Sequence, residues 1–98
     1  MAEIRWTNEA ATWLADIFDY IAQDSPEAAR KVAAGIFEKA QLLATFPTAG
    51  HVHRDEPEGE VRVLLYGHYR IAYLFRAAED VVEILGIFHG SLDISRYL

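Results

Sequence analysis

Residues 66–76 constrain the fold more than any other segment of the chain, because their pattern is that of a β-strand entered through a tight turn. Large apolar side chains alternate with arginines and smaller side chains, which is typical of a strand whose two faces meet different surroundings. One face is predicted to carry Tyr69, Ile71, Tyr73 and Phe75, and the other Arg70, Ala72, Leu74 and Arg76. Gly67-His68 fits a two-residue turn. The segment therefore predicts a β-hairpin in an antiparallel sheet.

Two helices are predicted ahead of this hairpin. Apolar residues recur at helical spacing from Ala10 to Ile21, and the first helix is expected to run to about Asp24. Ser25-Pro26-Glu27 is a helix-start signal, and the apolar stripe that follows it continues to Ala44. Because the connection is only a few residues long, we expect an antiparallel helical hairpin.

The remaining segments predict an α+β fold. Residues 2–7 alternate and predict an N-terminal strand, and further strands are expected at about 60–66, 69–76 and 81–88. Residues 47–59 are rich in proline, glycine and charge, and are predicted to form a surface loop. The predicted order is an N-terminal strand, an antiparallel helical hairpin and a three-stranded antiparallel meander that completes one sheet.

We interpret residues 1–98 as a single domain. The composition of this domain excludes several classes of function. The formal net charge of −6 argues against direct nucleic-acid binding. The absence of cysteine excludes disulfides and thiolate metal sites. His51 and His53 lie in a polar segment that fits solvated side chains, so neither a metal nor a cofactor is expected. With no membrane span and no signal peptide in the sequence, we expect a cytoplasmic protein.

Three arginines are the first candidates for a functional site. Arg62, Arg70 and Arg76 fall on the strands of the predicted meander. If Arg62 and Arg70 lie close together across the hairpin, they form a small cationic platform on one face of the sheet. The alternative, which spacing alone favours, is that each arginine pairs with a neighbouring acid or covers apolar surface with its stem.

The C-terminal segment supplies the second group of candidates. His89 lies where the last strand ends, and a histidine there acts either as a general acid or base or as a donor that fixes the tail. Ser91 and Asp93 are too close to His89 in sequence for the usual hydrolytic triad, and Ser91 is expected to cap a terminal turn. Tyr97 is a phenol on the tail that can reach a site or a partner.

The motifs R-x-L-L-Y-G-H-Y-R-I-x-Y (62–73) and E-I-L-G-I-F-H-G-S-L-D (83–93) give the chain a resemblance to the RelE/ParE superfamily. These proteins are the toxins of type II toxin–antitoxin modules, and the resemblance extends from Ile4 through Leu98. It implies the α+β fold described above, a role in plasmid stabilisation and growth arrest, and a cognate antitoxin that binds the toxin in a hetero-oligomer.

RelE-like members of the superfamily are ribosome-dependent endoribonucleases that cut mRNA. Against their pattern, Arg70 matches the arginine of the Tyr-Arg motif, Arg62 matches a basic residue on the preceding strand, and Tyr97 falls near a C-terminal tyrosine. Two other cationic positions of that pattern are occupied by Leu64 and Ser91. Each lost transition-state contact is worth roughly 2–4 kcal/mol, so these departures count against RNA cleavage.

ParE-like members inhibit DNA gyrase by binding it. The tail resembles theirs in its spacing of His89, Ser91 and Asp93 and in its terminal Leu98. We therefore expect a ParE-like gyrase inhibitor. A RelE-like ribonuclease, with Arg62, Arg70, His89 and Tyr97 as catalytic residues, and a non-toxic antitoxin-binding domain remain the alternatives. The candidates for target binding are Arg62, Arg70, Arg76, His89, Ser91 and Tyr97.

The resemblance also implies an exposed apolar surface for the antitoxin. Such a surface is expected along the helical hairpin and the open edge of the sheet, because 98 residues cannot bury every apolar side chain of this sequence. The candidates for antitoxin binding are Trp13, Phe18, Tyr20, Tyr73 and Phe75.

Overall fold

The computed structural model describes all 98 residues and contains one five-stranded sheet with two helices packed on one face. The strands are β1 (Glu3–Trp6), β2 (His51–Glu56), β3 (Gly59–Tyr66), β4 (Tyr69–Arg76) and β5 (Val81–His89). The helices are α1 (Asn8–Ala22) and α2 (Pro26–Gln41), with short 3₁₀ helices at Leu42–Ala44 and Ile94–Arg96. This is the α+β architecture that the sequence predicts. Neither α1 nor α2 is long and apolar enough to cross a membrane.

The two α-helices begin at local capping signals. The Thr7 hydroxyl accepts a hydrogen bond from the Ala10 amide, and the Ser25 hydroxyl accepts one from the Ala28 amide, both at 3.1 Å. Pro26 occupies the first turn of α2, where backbone N–H groups have no acceptor within the helix, so the N–H that proline lacks is not needed there. These caps confirm the predicted helical hairpin, although α1 ends at Ala22 rather than Asp24.

The strand order is β1-β5-β4-β3-β2. β1 runs parallel to β5, because the helical hairpin carries the chain across the sheet before the meander begins. The other neighbours are antiparallel. β5 therefore lies between β1 and β4, and α1 packs directly against it.

The prediction of a loop over residues 47–59 was wrong for its second half. Residues 51–56 form β2, an edge strand that pairs with β3. All of its side chains except Glu56 are exposed, so β2 has no buried face and no hydrophobic alternation to reveal it. The meander accordingly has four strands rather than three.

The hairpin between β3 and β4 forms as expected. Tyr66 pairs with Tyr69 across the two-residue turn, and Gly67 adopts a φ of 55°, a left-handed conformation that glycine tolerates without strain. The predicted alternation is confirmed, since Ile71 and Tyr73 belong to the core beneath the helices and Ala72 to a separate cluster. We call the first side the helix-covered face and the second, which carries Arg70, Ala72, Leu74 and Arg76, the tail face.

The two faces are covered mainly by different parts of the chain, and Trp13 of α1 packs against the buried clusters of both. On the helix-covered face a core cluster joins both helices to the sheet, and its buried members are Ala2, Ala10, Ile36, Ala40, Leu43, Ile71, Tyr73, Val82, Ile84 and Ile87. On the tail face the buried cluster consists of Val63, Ala72, Phe88 and Ile94. Ile94 belongs to residues 91–98, the C-terminal tail, which therefore serves as the cover of this face.

Candidate functional site

Arg62 is held by its own protein. Its guanidinium pairs with the Glu60 carboxylate at 2.8 Å and donates to the backbone carbonyls of Thr48 and Gly50 at 3.1 and 2.6 Å. Only 14% of the side chain is exposed. Arg62 therefore anchors the segment that leads into β2, which agrees with the pairing role rather than with a free cation.

The cationic platform that Arg62 and Arg70 would form if they lay close together is not present. Arg62 lies opposite Tyr73, and Arg70 lies opposite Leu65. Because Tyr73 and Arg70 are three residues apart on one strand, the two arginines project from opposite faces of the sheet. The tight turn at Gly67-His68 determines which residues of β3 and β4 are paired, and this register excludes the platform in favour of the pairing alternative.

Tyr73 completes the anchor of the same segment. Its hydroxyl donates to the Pro47 carbonyl at 2.8 Å and accepts from the Gly50 amide at 2.9 Å. The side chain is completely buried, and this burial raises the pKa of the Tyr73 phenol above its ordinary value. Its assignment to an exposed antitoxin-binding surface was therefore wrong.

Arg76, at the far end of β4, is also engaged by carboxylates. Its guanidinium donates to Glu83 on β5, and Glu79 lies 3.9 Å away. The hydrogen bond to Glu83 is the main reason why the pKa of Arg76 is raised. Arg76 thus forms a structural ion pair with Glu83 that links β4 to β5.

Arg70 lies under the C-terminal tail. Its guanidinium donates to the Leu92 carbonyl, while its Nε is buried without a hydrogen-bond partner. Farther along the tail, Tyr97 stacks on Phe88 at a centroid distance of 5.3 Å and meets the edge of Trp13 at 5.1 Å. Arg70 and this aromatic cluster hold the tail against the sheet.

His89 begins the turn into the tail. The Ser91 amide donates to His89 Nδ1 at 3.2 Å, and the Ser91 hydroxyl lies 2.8 Å from the same nitrogen. Because an amide N–H can only donate, Nδ1 is the acceptor of this hydrogen bond. His89 thus fixes the start of the tail. Ser91 is not the cap that we expected, because Asp93 accepts from the Ser95 amide and caps the final 3₁₀ helix.

A groove of about 520 Å³ lies between α1 and the end of β5, and we call it the α1–β5 groove. It is lined by Trp13, Asp16, Ile17, Tyr20, Tyr69, Ile87, His89 and Leu92. The groove brings together Trp13 and Tyr20, expected to bind the antitoxin, and His89, expected to bind the target. Its walls are mainly aromatic and aliphatic, which suits binding rather than proton transfer.

The other candidates for antitoxin binding differ in exposure. Tyr20 is 76% exposed, whereas Phe18 and Phe75 are half-buried and Phe75 packs against the core of the helix-covered face. Apolar side chains are exposed at several further positions, namely Phe37, Leu42, Phe46, Val52, Leu65 and Tyr97. On the helical hairpin and the β2 edge, where the sequence predicts apolar surface, the exposed large apolar side chains are Tyr20, Phe37 and Val52.

Comparisons with known proteins agree with this fold and assign the family. The family described as "ParE toxin of type II toxin-antitoxin system, parDE" matches residues 4–94. The chain belongs to the ParE toxin family. A protein of Sinorhizobium fredii named "Putative toxin Y4kP" is 40% identical over 87 residues, which cover 89% of this chain and 86% of that protein.

Two solved structures resemble this ParE-family toxin along most of its length. The chromosomal ParDE toxin–antitoxin system from P. aeruginosa matches with a TM-score of 0.70 and 28% identity, over 91% of this chain and 96% of that one. The toxin–antitoxin complex RelBE2 from Mycobacterium tuberculosis matches with a TM-score of 0.68 and 24% identity, over 90% and 96%. The second likeness shows the fold alone.

Sequence reasoning missed two residues that shape the sites of this ParE-family toxin. Asp16 lines the groove from α1, and its position one turn from Trp13 and Tyr20 is visible as i, i+3 and i+4 spacing. Arg54 on β2 donates to the Leu98 carbonyl at 2.5 Å, a contact between distant segments that no local pattern indicates. The structure brings no group of three histidine, aspartate or glutamate side chains together in a way that could hold a metal ion.

Proposed function

We propose that this protein is the toxin of a type II toxin–antitoxin module, that it inhibits DNA gyrase by binding it in the cytoplasm, and that a cognate antitoxin neutralises it. Membership of the ParE family supports the toxin role. The choice of gyrase follows the ParE-like character of the sequence, in particular the spacing of His89, Ser91 and Asp93 in the tail.

The state of the arginines is the observation that carries the proposal. A ribonuclease site requires several cations facing one phosphodiester, because the charge that develops in the transition state must be stabilised by fixed groups. In this protein Arg62 and Arg76 are engaged by Glu60 and Glu83, and Arg62 projects from the face opposite Arg70. A surface of this kind favours inhibition by binding over RNA cleavage.

The antitoxin follows from the exposed apolar surface and from the relatives. Tyr20 is 76% exposed and lines the α1–β5 groove together with other aromatic and aliphatic side chains, and an exposed apolar groove of this kind is typical of a surface that a partner covers. The similar proteins from P. aeruginosa and M. tuberculosis belong to a toxin–antitoxin system and a toxin–antitoxin complex. We therefore propose a hetero-oligomer of this toxin and its antitoxin.

The experiment is a direct comparison of two targets with one preparation of the toxin. The purified chain is added to gyrase with relaxed plasmid and ATP, and in parallel to a translation extract with a defined mRNA. We expect loss of supercoiling, accumulation of gyrase-cleaved DNA and intact mRNA.

Cleavage of the mRNA at ribosome-occupied codons, with supercoiling unchanged, would overturn the proposal in favour of the ribonuclease. In that case Arg70→Ala should abolish cleavage while Arg5→Ala, which changes an exposed arginine on β1, should not. No effect in either assay, and no growth arrest in cells, would instead identify a non-toxic antitoxin-binding domain.

A further inference from the structure

The charge of α1 and the α1–β5 groove, taken together, indicate what kind of partner segment fits there. Residues 6–29 contain five acidic side chains and no lysine or arginine. One of these acids, Asp16, lines the groove beside Trp13 and Tyr20 and takes part in none of the ion pairs of the protein. A groove with an unpaired carboxylate and aromatic walls suits a segment with an aliphatic side chain next to a lysine or arginine.

We propose that the α1–β5 groove is the anchor site of the antitoxin, and that the segment it binds places an aliphatic side chain between Trp13 and Ile87 and a basic side chain against Asp16. This inference rests on the proposed function and deepens it by naming the site and the chemistry of the partner. The net charge of −6 adds a long-range attraction for the same basic segment.

The same geometry gives a route to neutralisation. His89 and Leu92 line the groove opposite α1, and Ser91, which fixes the His89 ring, lies between them in the chain. An aliphatic side chain seated in the groove covers this turn directly. The antitoxin would therefore mask His89, a candidate for target binding, with the side chains that give it affinity.

Charge reversal with a matched control tests the site. Asp16→Lys places a repulsive charge in the groove, whereas Asp19→Lys makes the same change in net charge on the same helix outside it. Titration calorimetry with the separately purified product of the adjacent open reading frame should show about tenfold weaker binding for Asp16→Lys, and less than about twofold for Asp19→Lys. Equal effects of both variants would mean that Asp16 acts only through the net charge of the protein and not through a contact in the groove, and this would overturn the proposal.

The apolar half of the site has its own pair of variants. Tyr20→Ala removes a wall of the groove, and Leu65→Ala removes a side chain of similar exposure from the tail face. We expect a loss in affinity of about tenfold for Tyr20→Ala and a change within about twofold for Leu65→Ala. Both side chains are mostly exposed, so the two variants should fold, and circular dichroism checks that they do.

Trp13 offers a direct readout of occupancy. The chain has two tryptophans, and the indole N–H of Trp6 has no hydrogen-bond partner, so Trp6→Phe leaves Trp13 as the single reporter without breaking a bond. Acrylamide quenching of Trp13 should decrease when the complex forms, and unchanged quenching in a fully formed complex would overturn the proposal.

The failures of the two proposals are distinguishable. Absence of gyrase inhibition leaves the affinity measurements valid, because they report only on the antitoxin. Normal affinity of both Asp16→Lys and Tyr20→Ala would overturn the groove assignment while the gyrase proposal stands. Absence of any complex with the wild-type chain would overturn neutralisation by that antitoxin and the groove assignment together.

Discussion

The two faces of the sheet differ in the segment that covers them. The helices near the N-terminus cover one face, and the C-terminal tail covers the other. On the helix-covered face, two long helices bury a cluster of ten side chains, with Ile36 and Leu43 completely inaccessible. On the tail face, the cover is a tail of eight residues that buries a cluster of four, with Ile94 as its contribution. The first cover is an integral part of the core, whereas the second is an addition at the end of the chain.

This difference assigns global stability to one face and local opening of the tail to the other. Apolar burial is the main source of folding free energy, so most of the stability resides beneath the helices. The tail is held by a few contacts, chiefly the Arg70–Leu92 bond and the packing of Tyr97 against Trp13 and Phe88. A segment attached in this way can open without global unfolding. The predictions below test this separation.

Ile36→Ala should have the largest effect, because it empties a fully buried position between α2 and the sheet. We expect the free energy of unfolding in urea to fall by about 2–5 kcal/mol. Leu65→Ala, at an exposed position, should change it by less than about 0.5 kcal/mol. If the first variant does not fold, Ile36→Val should still lose about 0.5–1.5 kcal/mol. An undiminished stability of both Ile36 variants would contradict the dominance of the helix-covered face.

Tyr73→Phe should have the next largest effect. It keeps the buried ring but removes the hydroxyl that bonds Pro47 and Gly50, and leaves the buried Gly50 amide and the part-buried Pro47 carbonyl unsatisfied. A loss of about 1–3 kcal/mol in urea is expected. Tyr20→Phe, which removes an exposed hydroxyl, is the control. Equal losses in the two variants would show that the Tyr73 hydroxyl contributes nothing specific.

The same variant gives a dependence on pH. Burial raises the pKa of Tyr73 above its ordinary value of 10.0, so at high pH the unfolded chain releases a proton that the folded chain keeps. The stability that this group contributes is therefore complete below about pH 10 and is lost as the pH rises through its folded value. The advantage of the wild type over Tyr73→Phe should shrink above about pH 10, and a constant advantage would argue against the shift.

Ile94→Ala should affect the tail face more than the whole molecule. The tail can detach instead of holding a cavity, so we expect the global loss to be about 1 kcal/mol, below that of Ile36→Ala. Hydrogen exchange should accelerate at the Tyr97 and Leu98 amides, which both donate to the Ile94 carbonyl. It should remain slow in β4. Accelerated exchange throughout the sheet would mean that the tail belongs to the global core.

The pair of Arg76 and Glu83 should have the smallest effect. It lies on the tail face, with its side chains 29% and 25% exposed. A double-mutant cycle with Arg76→Ala and Glu83→Ala should give a coupling of about 0.2–1 kcal/mol that decreases with added salt. A coupling that salt leaves unchanged would indicate a more deeply desolvated pair than the exposure implies.

The elements that the sequence predicted are those whose pattern lies within their own residues. β4 and α2 carry their own periodicity, since β4 alternates between two differently packed faces and α2 buries one side, and the helix starts carry their own caps at Thr7 and Ser25. β2 has no periodicity and no cap of its own, because only its hydrogen bonds with β3 make it a strand. Its polar composition is that of a loop, and only its partner strand distinguishes the two.

The candidate sites show the same limit. The pairing roles of Arg62 and Arg76 agree with the interpretation that spacing favoured, since acids lie near each of them in the chain. Tyr73 was assigned to a partner surface because aromatic character does not distinguish a buried ring from an exposed one. The α1–β5 groove is formed by residues as distant as Trp13 and Leu92, so it could not be recognised from either segment alone.

The sequence by itself determined the order of the elements, the alternation of β4 and the resemblance to the toxin family, because these depend on neighbours within a few residues. Only the tertiary structure decided which face each arginine serves, that residues 51–56 form an edge strand, and that Asp16 and His89 share one groove. These features depend on strand register and on contacts between distant segments. Such contacts are set by how the two faces are packed, and a local pattern carries no record of that packing.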